Sequence, residues 1–393
     1  MAMVVVTVVA ACAYPSSDSA SAAIPYPKAE TAKAGLPASE PVSERTLTLL
    51  ACGDILLART PGKRVSERGF RFLFQGVRDL VSDADIAFAN LETPVSYLGE
   101  PYPGKPVNVT FRADPATLFG LAWAGFDVVS LANNHMNDYG PAALAETLEY
   151  LDLLGVARAG AGLDLEEAGR PALIERNGEL VAILAYAEPM WSAVEAKSAR
   201  FAVVATRAET RLSATGQRPG DGSTGDVDRA GIAPALIPAM VADVRRVRET
   251  LDPDYLFVSV HWGDEHQHIP RAFQRNFGRA AIDAGAIAVL GHHPHVLQSV
   301  ERYRDGLILH SMGNFVFDMA ADHTYETAAF RVILAGGRIR RLEVVPIRIT
   351  RGLYTPVPAR GTDAEGILRD LAARSAYVGT RLEVEEYLGI LDF

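Results

Sequence analysis

Three imidazoles crowd one short stretch of this chain, Val289 to Gln298, which reads V-L-G-H-H-P-H-V-L-Q. His292, His293 and His295 come just after the apolar run Ala286 to Leu290, so they stand where a buried strand should end. Imidazole is the commonest protein metal ligand, and two histidines one residue apart on a turn can aim their ring nitrogens at one centre. Read alone, the stretch is equally well explained as a hydrogen-bonded turn. Other donors, however, sit at the same kind of place upstream. Asp54 follows T-L-T-L-L-A, Asn90 and Glu92 follow D-I-A-F-A, Asn134 and His135 follow D-V-V-S-L, and His261 follows Y-L-F-V-S-V. Singly, Asp54 reads as a cap, Glu92 as a surface charge, the asparagines as turn residues and His261 as a satisfied core histidine. Together they are five polar clusters at strand ends, and in an α/β sheet such ends meet at one crevice. Carboxylate, amide oxygen and imidazole suit one or two borderline divalent ions, Mn, Zn or Fe, and the lack of thiolates speaks against a structural zinc.

The elements that must position these donors alternate along the chain. Strands are expected over Thr46 to Ala51, Asp85 to Ala89 and Asp127 to Leu131, with a helix over Asp114 to Ala124 capped by Asp114. Pro141 starts a helix carried by Leu144, Leu148 and Leu151, and a strand follows at Glu179 to Tyr186. A helix over Pro234 to Leu251 feeds the strand Tyr255 to Val260, and one over Arg271 to Ala284 feeds the histidine-bearing strand. Strands at 307–310, 328–334 and 339–349 close the pattern, the last alternating as a one-face-covered antiparallel strand does. Stacked βα units with an antiparallel tail result.

Composition bounds the rest. A chain of 393 residues, 49% apolar, can bury a large α/β core. A formal charge of -10 with no basic face argues against nucleic acid as a partner. The two cysteines, Cys12 and Cys52, lie in segments of different character, so a disulfide framework is not expected. The opening M-A-M-V-V-V-T-V-V-A-A-C is too short to span a bilayer, ends in small residues like a secretory signal, and places Cys12 as in a lipobox. Residues 13–43, rich in Ser, Ala and Pro, suit a tether. The expected organisation is therefore a signal and tether over 1–44, a main domain over 45–350 and a C-terminal extension over 351–393. Within the main domain, 188–232 is read as an insertion or lid. The protein is expected outside the cytoplasm, as a membrane-anchored lipoprotein or secreted.

The blocks G-D-I-L-L-A-R, N-L-E, S-L-A-N-N-H-M-N-D-Y-G, H-W-G-D-E, G-H-H-P-H-V-L-Q and S-M-G-N-F-V-F-D occur in that order from about Leu47 to Asp318. They resemble the bacterial capsule-synthesis CapA family, also called the PGA-cap or poly-γ-glutamate capsule family. The resemblance implies a calcineurin-like metallophosphoesterase fold, an α/β/β/α sandwich of two packed β-sheets flanked by helices. It implies Asp54 as a ligand of a first metal, Glu92 or, less favoured, Asn90 as a bridge, and Asn134 as a ligand of a second. His261, His293 and His295 would complete the shells, with His135 as proton donor and Arg59 facing a substrate carboxylate. His292 has no counterpart and is expected behind the ligands or exposed, while Arg59, Trp262, Glu265 and Asn314 belong to the family's blocks and are candidates to line the pocket, with core packing an equally good account of Trp262 and Phe315. Two departures stand out. The Asp-x-His opening of the phosphoesterases is here Asp54-Ile55-Leu56, and their Gly-Asp bridge is Asn90-Leu91-Glu92.

Three functions follow as expectations. The first is a hydrolase or transferase in which metal-activated water attacks an acyl or phosphoryl centre of an anionic envelope polymer such as poly-γ-glutamate. The second is a non-catalytic, membrane-anchored component working with polymer synthesis or export proteins. The third is an ordinary phosphoesterase, which the altered ligand positions disfavour.

Overall fold

Strands as uniformly apolar as L-T-L-L-A and Y-L-F-V-S-V need cover on both faces, and the fold provides it. The computed structural model describes residues 46–188, 231–233 and 235–393. The signal and tether expected over 1–44 lie outside the described residues, as does nearly all of the insertion or lid expected over 188–232. Among the described residues no helix is long and apolar enough to cross a membrane.

Two mixed sheets stack face to face. The first centres on Leu47–Ile55, which runs parallel to Ile86–Leu91; Val128–Ser130 and Ala157–Ala159 continue that parallel half. On its other side the long antiparallel strands Glu326–Ala335 and Arg338–Ile349 extend the sheet. The second sheet has a parallel centre of Glu179–Ala187, Tyr255–His261, Ala288–His292 and Gly306–Leu309, edged by antiparallel Ala172–Arg176 and Val300–Tyr303. Leu47, Leu49 and Phe88 of the first sheet meet Phe257, Leu290 and Leu309 of the second in one apolar layer. The outer face of the first sheet is covered by Leu118 and Leu121, and by Leu144, Leu148 and Leu151 of the helix Gly140–Leu154. The outer face of the second is covered by Met240, Val244 and Val247 of Ile237–Leu251 and by Phe277 and Ala281 of Ala272–Ala284. The result is the helix, sheet, sheet, helix layering that the resemblance implied.

The residues after 350 belong to this body. Leu388–Asp392 pairs with Arg338–Ile349, and the helix Gly361–Tyr377 places Ile367, Leu368 and Leu371 in the layer between the sheets.

Several boundaries differ from the sequence reading, and those of the site-bearing strands differ by running further toward the site. The strand bearing Asp54 does not stop at Ala51; it runs to Ile55, with a register irregularity between Ala51 and Asp54. A short parallel strand, Asn314–Val316, pairs with its far end (Asp54 with Asn314), and that long-range partner extends the strand past the glycine. Gly53 permits this because a Cβ there would lie 2.0 Å from the carbonyl oxygen of Gly313. Likewise His261 and His292 are the last residues of their strands and pair with each other in register. Asp114 caps a short 3-10 turn, Pro115–Thr117, before the helix Leu118–Ala124 begins.

Candidate metal centre

Because both sheets are parallel at their centres, the chemistry-bearing strand ends point the same way and the two sets face each other across the interlayer. Register sets the contacts: Asp54 stands beside Asn90 in one sheet, His261 beside His292 in the other.

Asp54 is fully buried and held by three donors. His292 Nδ1 at 3.0 Å and the Asn90 amide at 2.9 Å both donate to Oδ1, and the backbone N–H of His293 donates to Oδ2 at 3.1 Å. His295 Nδ1 lies 3.5 Å from Oδ2. Burial works to raise the Asp54 carboxyl, but the His292 hydrogen bond and the charges of His292 and His295 outweigh it and hold the group below its ordinary value. Asn90 is thus spent on orienting Asp54, which leaves Glu92 as the bridging candidate.

Glu92 is the decisive residue. It is fully buried, and neither carboxylate oxygen has a hydrogen-bond partner. His261 Nε2 stands 3.6 Å from Oε1, His135 Nε2 3.8 Å and His295 Nε2 3.9 Å. Burial and the nearby Asp54 charge push the Glu92 carboxyl well above its ordinary value. An orphaned carboxylate in such a place costs several kcal/mol unless a cation accompanies it. His261 and His293 are both driven well below the ordinary imidazole value, first by burial and then by neighbouring imidazoles, so they present neutral rings with lone pairs.

Two donor groups, Asp54 with Glu92 and His295, and Glu92 with His261 and His293, could each hold a metal ion, and Glu92 is common to both. Asn134 joins the second, its Oδ1 lying 2.8 Å from His261 Nε2, which is 3.1 Å from His293 Nδ1. The residues present fit a divalent cation by the chemistry of the donor set, a carboxylate without a hydrogen-bond partner beside the His261, His293 and His295 imidazoles. His293 and His295 both adopt positive φ, 94° and 57°, a conformation rare for non-glycine residues and worth about 1–3 kcal/mol each in strain. Strain that the surroundings must sustain on both candidate ligands is a signal the sequence did not carry.

His135 leans on a second layer. Its Nδ1 donates to Asp138 Oδ2 at 2.8 Å, its ring stacks on Phe111 at 4.1 Å, and Lys105 pairs with Asp138 on the other oxygen. Burial, then the Lys105 charge, push the imidazole down to about 4. The sequence reading missed Lys105, Phe111 and Asp138 as parts of the site. Asp138 was visible in N-N-H-M-N-D as an acid three residues after His135, whereas Lys105 enters from a loop with no local mark.

Arg59 is not free to receive a substrate carboxylate as the sequence reading expected. Its guanidinium is paired with Asp318, donates to Asn108 O at 3.1 Å and lies 4.7 Å over the Phe111 ring. It braces Phe111, and through it the plane of His135. Trp262 is core rather than pocket lining, buried and donating to His310 O at 2.8 Å, and Phe315 is likewise buried. Asn314 accepts from His295 Nδ1 at 2.8 Å, behind the ligands, and Glu265 is exposed. His292 is fully buried behind Asp54, which settles the two places the sequence allowed it.

Residues 48–319 match the family described as bacterial capsule synthesis protein PGA_cap. The chain is similar to the capsule biosynthesis protein CapA of Bacillus anthracis, 30% identical over 85% of this chain and 75% of that protein. It is also similar to the PGA biosynthesis protein CapA of Bacillus subtilis strain 168, 28% identical over 87% of this chain and 82% of that one.

Proposed function

The chain belongs to the bacterial capsule synthesis protein PGA_cap family, and from that premise we propose that it is a metal-dependent hydrolase or transferase of envelope-polymer biosynthesis. In this reading it acts outside the cytoplasm on acyl or phosphoryl bonds of an anionic polymer such as poly-γ-glutamate. The single observation that carries the reading is Glu92, a buried carboxylate without a hydrogen-bond partner, set between the Asp54–His295 and His261–His293–Asn134 donors. Asp54, Glu92 and His295 would hold one ion, and Glu92, His261, His293 and Asn134 a second, of the Mn, Zn or Fe class. Such an ion supplies a Lewis acid that polarises a carbonyl or phosphoryl oxygen and lowers the pKa of water.

The chain's own residues do the remaining work. Asp138 fixes the His135 tautomer so that Nε2 faces the Glu92 side, where it can hold or pass a proton at the leaving atom. Lys105 balances Asp138, and the Arg59–Phe111 stack keeps the imidazole plane in place. With His135 at about 4, a donor role at neutral pH requires an anionic group of the substrate beside it to draw the proton on. A second reading, a polymer-binding component of a membrane synthesis or export assembly that cleaves nothing, is supported equally by the match to capsule biosynthesis proteins. The N-terminal residues 1–44, with their lipobox-like Cys12, support a lipid or signal anchor in either case.

The test is to purify the protein, measure bound metal, and assay γ-glutamyl peptide and phosphoester cleavage with wild type and His135→Ala. Turnover of the γ-glutamyl substrate that His135→Ala abolishes supports the enzyme. Bound metal without turnover on either substrate transfers the reading to the assembly component. Turnover untouched by His135→Ala removes that residue as the proton carrier.

A further inference from the structure

Of the nine histidines, five surround the buried centre and His310 pairs with Glu301, which leaves His266, His268 and His323. His266 and His268 are on the loop that follows the strand Tyr255–His261, and His323 is in the 3-10 turn Asp322–Tyr325 after the strand Asn314–Val316. The two segments are brought together across the fold. His266 Nδ1 and His323 Nε2 are 3.1 Å apart with their rings perpendicular, and the His268 ring centroid is 5.9 Å from that of His323.

We propose that His266, His268 and His323 form a further site for a borderline divalent cation such as Zn2+, separate from the buried centre and closing one segment on the other.

The geometry carries this in four steps. Zinc–nitrogen bonds of about 2.0–2.1 Å at a tetrahedral angle separate two ligand nitrogens by about 3.3–3.4 Å, so His266 and His323 already stand within a few tenths of that spacing. His268 Nδ1 lies 3.3 Å from Leu297 O, and the half-buried ring would leave that contact to turn its nitrogen toward the pair, so it is the ligand that ion binding must bring in. His266 takes φ +62, a strained conformation for a non-glycine residue, and its backbone N–H holds Pro294 O at 2.8 Å. Glu265, with Oε2 4.0 Å from His266 Nε2, can steady the ring from its far side, while Asp322 is engaged by Arg351.

Both segments are tied to the turn that bears His293 and His295. His266 is bonded to Pro294 between those two residues, and Thr324 O accepts from Asn314, which in turn accepts from His295. An ion here would therefore pin the flanks of the turn without sharing a ligand with the buried centre.

The experiment titrates Zn2+ into the full-length protein against a competing chelator. Wild type, His323→Gln, His266→Gln, His268→Gln and Glu92→Gln are compared, and thermal melts are recorded with and without the ion. Glu92→Gln is expected to keep a zinc equivalent that His323→Gln and His266→Gln lose. His268→Gln is expected to weaken that equivalent by more than the roughly 10–100-fold that loss of an outer-shell partner costs. Zinc should raise the melting temperature of Glu92→Gln and leave a His323→Gln/Glu92→Gln double variant unmoved. The exposed position of His323 keeps that variant folded, and His266→Gln serves as an independent second. Equal zinc stoichiometry and affinity in wild type, His323→Gln and His266→Gln overturns the site. An effect of those two but none of His268→Gln overturns the three-histidine assignment. Failure of the buried centre would appear separately, as Glu92→Gln indistinguishable from wild type.

Discussion

Two buried glutamates, each beside histidines, behave in opposite ways: Glu92 follows the strand Ile86–Leu91 of the first sheet, and Glu301 lies in the strand Val300–Tyr303 of the second. Glu301, 1% exposed, accepts from His310 Nε2 at 2.9 Å and from Arg279 Nε at 2.7 Å. Burial works to raise its carboxyl, but those hydrogen bonds outweigh it and hold the group below its ordinary value. Glu92, equally buried, receives no donor and is pushed well above. The residue types are the same and so is the burial. A satisfied buried carboxylate is architecture, whereas an unsatisfied one surrounded by imidazoles is a place for a cation.

The contrast can be broken most decisively at Glu92 itself. Glu92→Gln is expected to remove the buried metal, measured as bound ion per chain by elemental analysis. It should at the same time leave the stability of the metal-free protein unchanged or raised, because it replaces a buried carboxyl that has no hydrogen-bond partner and is costly to ionise by an amide that carries no charge. A fall in metal-free stability would mean that Glu92 is an ordinary satisfied carboxylate like Glu301.

Next in size is His292→Phe. Since His292 touches Asp54 and lies behind it, the variant should weaken metal affinity roughly 10–100-fold by isothermal titration. Unaltered affinity would show that Asn90 and the backbone suffice to orient Asp54.

The structural half of the comparison predicts the reverse pattern. Glu301→Gln should cost about 2 kcal/mol of stability in urea denaturation, the scale of a charge-assisted hydrogen bond, discounted here because Arg279 is about one-third exposed. Its bound metal should match wild type. Loss of metal would tie the two regions together.

The smallest effect is on pH dependence. The folded Glu301 carboxyl lies below its ordinary value of 4.5, so its contribution is fully present above that value and lost as pH falls from there through the folded one. The stability gap between wild type and Glu301→Gln should therefore shrink as pH is lowered below about 4.5. A gap that widened on acidification would reverse the sign assigned to Glu301.

Much of the site was legible because parallel, doubly covered strands are uniformly apolar, so a polar residue that ends one is conspicuous. Asp54, Glu92, Asn134, His261, His293 and His295 were all found that way, and the structure brings them together. What local pattern could not convey were partners far along the chain. Asp318 takes Arg59 across 259 positions, and Asn314 extends the strand of Asp54. Glu301 and Glu92 are indistinguishable as letters.

The order of donors along the chain, the fold class and the kind of cation those donors suit were set by residue types and their place after apolar runs, because strand periodicity is a local property. Which carboxylate is left without a partner, which histidine stands behind Asp54, and which arginine is already engaged were decided only when the two sheets closed on each other. Burial and hydrogen-bond satisfaction are sums over neighbours, and the neighbours that count here are contributed by segments hundreds of residues apart.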